Sequence, residues 1–328
     1  MRVGWARYVA VGDSMTEGLW DPYPSPDGAA AGGAHAAGGG HAAGGSQAAA
    51  EAGPGLQGQG EEAPLRGWAD RLAESLSERR TADGGAPLEY ANLAVRGRLL
   101  GPILEAQLPA ALDAGADLVS VVGGGNDLLR PNADPDRLAA RLERGVRTAR
   151  DAGADVLLAT GTDTRRAPLL AAIRPKVAVY NAHIWSIARR NGAHVLDVWG
   201  LRALQDWRMW AEDRIHLSDE GHHRVAQAAL VALGLAPDDP GWTRPLPPGA
   251  PVPVRQQWRT DAAWVRREVG PWAARHLRGR SSGDGRSAKR PALRPVVPIA
   301  PGGGPVPGGT PHSPTQPPGA TTSGDHHG

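Results

Sequence analysis

Two hydrophobic rhythms alternate along most of this chain. Short apolar runs at 7–12, 88–93, Ala116–Val122, Ala154–Thr160 and Ala193–Val198 carry many β-branched residues and read as buried strands. Between them, apolar residues recur at helical spacing. Examples are Trp68, Leu72 and Leu76 within Gly67–Arg80, and Leu138, Leu142 and Val146 within Pro135–Ala152, which share one helical face. Further helices are expected over Leu99–Leu112, broken near Pro109, over Ile173–Asn191 and over Asp219–Leu233. Strand and helix alternate and hairpin signals are scarce. The pattern predicts an α/β fold in three layers, with a parallel sheet of about five strands covered by helices on both faces. Right-handed crossovers then bring every strand's carboxyl end to one rim, where open sheets of this kind carry their chemistry.

Four turns on that rim hold candidate chemistry. In Tyr8-Val9-Ala10-Val11-Gly12-Asp13-Ser14, Gly12 suits a sharp bend that lifts the Ser14 hydroxyl to the rim, although Gly-Asp-Ser alone is an ordinary turn. In Glu89–Gly97, a strand ends near Asn92, and the Gly97 N–H is either an oxyanion donor or only part of a turn. In Val119–Asp127, three glycines let backbone approach a ligand closely. The Asn126 amide there either donates to an oxyanion or belongs to turn chemistry. In Asp213-Arg214-Ile215-His216-Leu217-Ser218, the carboxylate can reach one ring nitrogen of His216 and leave the other facing Ser14. A serine hydroxyl needs such a base, and the base needs an orienting acid. The same stretch also reads as a loop before a helix capped by Ser218 or Asp219, a role that does not compete.

Taken together and in this order, the four segments resemble the SGNH hydrolases, also called the GDSL esterase/lipase family, over about Tyr8–Leu233. In detail the chain is similar to actinobacterial members. The resemblance implies a flavodoxin-like fold and a serine esterase that needs no metal or organic cofactor. It makes Ser14 the nucleophile, His216 its base and Asp213 the acid that orients the base. The Ser14 and Gly97 N–H groups and the Asn126 amide would form the oxyanion hole. Asp13, Gly124 and Asp127 are expected in support, Asp127 by holding the turn that aims Asn126. One departure is Leu217, where many members have proline. Small to medium acyl esters are the expected substrates, and no long apolar lid suggests a triglyceride lipase. The alternatives are acyl transfer to an alcohol through the same acyl-enzyme, or a binding protein that kept the fold.

Composition narrows the globular part. The 328 residues include 45 Gly and 30 Pro, well above ordinary usage, and concentrated in two places. Residues 27–63 are a Gly/Ala-rich insertion without periodicity or large apolar residues, expected to be disordered. Its His35 and His41 are read as chance histidines, and no metal site is expected there or at His222 and His223. The domain proper is expected to be 1–240. Residues 241–278 form a Trp/Arg-rich extension, in which 255–269 could be an amphipathic helix. Docking of 255–278 on the domain is preferred to contact with an anionic membrane. Residues 279–328 are rich in Gly, Pro, Ser and Thr and expected to be disordered; the run Arg278–Gly285 within and before them has no assigned role.

Residues 241–328 hold 12 Lys/Arg and 4 Asp/Glu, a net of +8, which leaves −6 on the first 240 of a chain with net +2. An acidic body argues against nucleic acid at the site. With no cysteine, disulfides and thiolate metal sites are excluded. No signal peptide and no apolar run of membrane-span length stand out, so a cytoplasmic location is expected. Arg so far exceeds Lys, with Phe absent, that a GC-rich genome is the natural reading. Asp163 is either a pocket or a turn residue. Trp207 and Trp210 either wall an acyl or sugar site or pack under the loop.

Overall fold

Five parallel strands form the sheet in the order β5-β4-β3-β1-β2, and a sixth, β6, closes the β2 edge antiparallel. The strands are β1 (Arg7–Val11), β2 (Glu89–Asn92), β3 (Leu118–Val121), β4 (Asp155–Ala159), β5 (His194–Leu196) and β6 (Arg290–Pro295). The computed structural model describes residues 3–22, 65–167, 170–248 and 282–296, all within one compact unit. The expectations for 27–63 and for 255–278, with His35 and His41, lie outside the described residues. The parallel part has the flavodoxin-like order, with its switch point between β1 and β3. The register is tight: Val9 lies opposite Ala91 on one side and Val119 on the other.

Alternation along the strands explains the layers. Tyr8, Ala10, Tyr90, Leu118 and Leu157 face one cluster, completed by Trp68, Leu72 and Leu76 of α2 (Trp68–Ala82) and Val225 and Ala229 of α8 (Asp219–Ala232). Val9, Val11, Val119, Val121 and Leu158 face the other. There they meet Leu138, Leu142 and Val146 of α6 (Pro135–Asp151) and Val177, Ile184 and Ile187 of α7 (Arg174–Asn191). Both faces of the sheet are therefore covered, as the sequence predicts for a parallel sheet.

Two expectations are corrected. The helix expected to break near Pro109 runs on as α3 (Leu100–Pro102), a π-helical turn (Ile103–Gln107) and α4 (Leu108–Asp113). Proline cannot donate to the carbonyl four residues back. The helix widens before it, so Pro109 falls in the first turn of α4, where no such donor is needed. The strand count is six, because Arg290–Pro295 lies in the stretch expected to be without structure. The open β2 edge supplies the order: Tyr90 pairs with Arg294 and Asn92 with Arg290, and the Arg290 guanidinium stacks 5.2 Å from the Tyr90 ring. Trp242 and Leu246 pack on the first cluster, and Arg224 donates to the Trp242 carbonyl at 2.9 Å.

Candidate active site

Ser14 opens the short helix α1 (Ser14–Glu17) directly after β1. The bend between them depends on Gly12 for space: a Cβ there would stand 2.7 Å from both Thr16 Oγ1 and the Val122 carbonyl. Gln107, in the π-turn, fixes both backbone groups of Gly12. Its Oε1 accepts the Gly12 N–H at 2.7 Å and its Nε2 donates to the Gly12 carbonyl at 3.1 Å. Asp13 caps α1 by accepting the Met15 N–H at 3.2 Å.

The loop before α8 brings His216 across to this turn. His216 Nε2 lies 2.9 Å from Ser14 Oγ, and its Nδ1 lies 2.5 Å from Asp213 Oδ2. The other carboxylate oxygen, Oδ1, accepts the N–H groups of Ile215 and His216, each at 3.0 Å. Burial pushes the Asp213 carboxyl up, but the His216 ring and these N–H groups outweigh it and leave it below the ordinary range. Asp213 is 6 % exposed, so its negative charge is directed at His216 and poorly screened by water. Leu217, the departure from the family pattern, is buried and bridges Trp210. It anchors the loop through packing. Ser218 caps α8 by accepting the Gly221 N–H. Arg214, between the acid and the base, has φ +56°, with its guanidinium 5.6 Å from the Trp207 ring.

The loops after β2 and β3 are tied to each other and to α1. Asn126, in α5 (Gly125–Leu128), donates to the Arg98 carbonyl at 3.0 Å and to Asp13 Oδ2 at 3.2 Å. Asp127 Oδ2 accepts the Leu100 N–H at 2.9 Å. Gly124, with φ +103°, leads into α5 against Tyr180, whose ring carbon Cε1 would lie 2.8 Å from an added Cβ. Arg96 is gripped by Glu17: its backbone N–H and its Nε reach the carboxylate at 2.6 and 2.9 Å. Gly97 follows with φ +73°. Ser14, Gly97, Asn126 and His216 all line one cavity of about 770 Å³. Its wall is aliphatic, with Leu128, Leu129, Leu170, Ile173 and Val177, while the half-exposed Trp20 and Trp207 stand in its lining.

Two carboxyls here sit above their ordinary range. Burial raises Asp13 to about 6, with the Met15 N–H a partial offset. Burial also raises Asp127, opposed by the Leu100 N–H. Asp163 caps a short turn and pairs with Arg174 at 2.6 Å. Trp207 and Trp210 line the cavity, and the Trp210 indole also donates to the Leu204 carbonyl at 2.8 Å. His222 is a core residue: its Nδ1 accepts the Trp68 N–H at 3.2 Å, which caps α2, and burial lowers its pKa to about 3. Among the described residues no group of three His, Asp or Glu is placed to hold a metal. No helix among them is long and apolar enough to cross a membrane.

Residues 10–224 match the model of the GDSL-like lipase/acylhydrolase family. The chain belongs to this family. Membership carries the reaction class, hydrolysis of ester bonds. No curated protein sequence matches the chain at a significant level. Among solved structures, it is similar to an alpha/beta hydrolase from the metagenome of Lake Arreo, Spain, at 22% identity and a TM-score of 0.50 over 71% of this chain and 97% of that one. It is also similar to an acetylxylan esterase from Geobacillus stearothermophilus, at 18% identity and a TM-score of 0.50 over 74% of this chain and 99% of that one. At such identities the likeness is one of fold. Both cover their own chains almost fully, so the family fold takes up about three quarters of this one.

Gln107, Glu17, Arg96 and Trp20 all touch or support the cavity and were not anticipated as site residues. Gln107 and Glu17 act on backbone groups far away in sequence, and no local motif marks that. Trp20, with φ +71°, sits at the margin of the Gly/Ala-rich insertion, where nothing in the pattern separates it from loop.

Proposed function

We propose that the chain is a serine esterase that cleaves carboxylic esters of small to medium acyl groups through Ser14, His216 and Asp213. The observation that carries this reading is the continuous relay from Ser14 Oγ to His216 Nε2 at 2.9 Å and from His216 Nδ1 to Asp213 at 2.5 Å, opening into the cavity. Ser14 Oγ attacks the ester carbonyl carbon and its proton passes to His216 Nε2. Asp213 keeps the remaining ring proton on Nδ1 and stabilises the imidazolium. The tetrahedral oxyanion is held by the Ser14 and Gly97 N–H groups and by Asn126, whose longer bond to Asp13 is the one exchanged for the oxyanion. His216 returns the proton to the leaving alcohol, the acyl group stays on Ser14, and a water activated by His216 then releases the acid. Each such donor is worth about 10²–10³-fold in kcat. The aliphatic wall suits an acyl chain of several carbons better than a bare acetyl group.

The test combines active-site labelling with a substrate series. A fluorophosphonate should label the parent protein at Ser14 and leave Ser14→Ala unlabelled. Nitrophenyl esters of increasing chain length, assayed beside acetylated sugars, should show turnover that is lost in Ser14→Ala and rises from acetate to medium chains. Turnover persisting in Ser14→Ala removes the mechanism, and a preference for acetylated sugars removes the acyl assignment. Repeating the assay with an added alcohol acceptor distinguishes hydrolysis from transfer.

A further inference from the structure

Residues 282–296 lie beyond the family match, which ends at 224, yet they reach the cavity: Ser282 and Arg286 are part of its lining. The segment is anchored along its length. Lys289 donates to Asp70 Oδ2 at 2.6 Å and to the Leu65 carbonyl at 2.9 Å, β6 pairs with β2, and the Val296 N–H donates to the Leu88 carbonyl at 2.8 Å. Ahead of these anchors, residues 282–285 turn across the loop that carries Gly97. Gly283 packs there so closely that an added Cβ would overlap the Arg96 carbonyl oxygen and stand 3.0 Å from Val95 Cγ1.

That contact matters because the Arg96 carbonyl and the Gly97 N–H belong to one planar peptide unit. They point in opposite directions across it, so fixing the carbonyl aims the N–H. Gly97 lacks a Cβ and accepts either sign of φ at small cost, so its own conformation does little to prevent this peptide from rotating. Glu17 holds Arg96 through the preceding N–H and the guanidinium, and Gly283 packs against the carbonyl of the same residue.

We infer that the C-terminal segment is a brace for the oxyanion hole, with Gly283 as a positioning residue that keeps the Arg96–Gly97 peptide aimed at the reacting carbonyl. This rests on the proposed role of the Gly97 N–H. It makes a stretch beyond the family match part of the machinery for ester cleavage.

The test uses the full chain with Gly283→Ala and Gly283→Val, nitrophenyl butyrate as substrate, and fluorophosphonate titration to count competent sites. The expected result is a fall in kcat per titrated site of about tenfold for Ala and up to about 10²-fold for Val, the scale of one lost oxyanion donor, with KM within about twofold. Inhibition by an alkylboronic acid, which becomes tetrahedral on the serine, should weaken in parallel with kcat/KM. An unchanged kcat in a folded Gly283 variant overturns the inference, as does a loss carried by KM or by the fraction of folded enzyme. If Gly283→Val does not fold, Gly283→Ala decides. A parent protein that neither turns over the ester nor labels at Ser14 refutes the esterase reading itself. A parent that does both, with unaffected Gly283 variants, refutes only the brace.

Discussion

Replacing Asp213 by Asn keeps the shape of the site and reverses its proton bookkeeping. Oδ1 of Asp213 accepts two backbone N–H groups at 3.0 Å, from Ile215 and His216. In Asp213→Asn the amide oxygen stays with those donors, because an NH₂ cannot accept from them. The NH₂ is then forced to the Oδ2 position, 2.5 Å from His216 Nδ1, and donates to the ring. His216 must accept on Nδ1 and carry its proton on Nε2, the nitrogen 2.9 Å from Ser14 Oγ. In that tautomer nothing is left to take the serine proton. A tautomer error of this kind costs about 10⁴-fold in kcat, which is roughly 5 kcal/mol of transition-state stabilisation. The assay is kcat for nitrophenyl butyrate at pH 8, with thermal melting to verify the fold. Activity within tenfold of the parent, still dependent on Ser14, would refute the idea that Asp213 sets the tautomer.

Three further outcomes follow from the packing. Glu17→Gln puts an NH₂ against the Arg96 guanidinium, a pair whose side chains are only 8 % and 11 % exposed; breaking a buried pair costs about 3–5 kcal/mol, readable in the urea midpoint, and a change below 1 kcal/mol would contradict the pair's importance. Gly124→Ala must adopt φ +103° with a Cβ 2.8 Å from the Tyr180 ring; strain and overpacking together cost about 2–5 kcal/mol, and an unchanged melting temperature would show that Tyr180 yields. Asp13 titrates at about 6 in the folded chain against an ordinary 3.8, so between those values the unfolded chain binds fewer protons and stability falls as pH rises. The contribution is present at pH 4 and gone above pH 6, worth about 3 kcal/mol at most. Urea midpoints for Asp13→Asn should lack that decline, and an identical pH slope in the variant would assign it elsewhere.

The strands and long helices were legible because each buries a full period of apolar residues. Trp68, Leu72 and Leu76 define a helix face whatever surrounds them, and Val9 and Val11 alternate with Tyr8 and Ala10 across the sheet. The relay was legible for a different reason: Gly12, Asn126 and the Asp213–His216 spacing each stand in a turn that the sheet brings to one rim. What stayed hidden depends on long-range pairing. β6 has an unpromising composition and exists because β2 offers it an edge. Gln107 is invisible as a site residue until the π-turn places it beside Gly12. Glu17 looks like ordinary first-turn charge until Arg96 arrives from 79 positions away.

The last strand has a consequence for encounters between chains. A bare β2 would present unpaired backbone donors and acceptors, on which a foreign strand can assemble. β6 moves that margin outward, and its sequence, Arg290-Pro291-Ala292-Leu293-Arg294-Pro295, makes a poor template. Two of its six residues have no N–H to offer and two more carry like charge. The segment that reaches the cavity at one end thus also blunts the sheet's outer border against self-association.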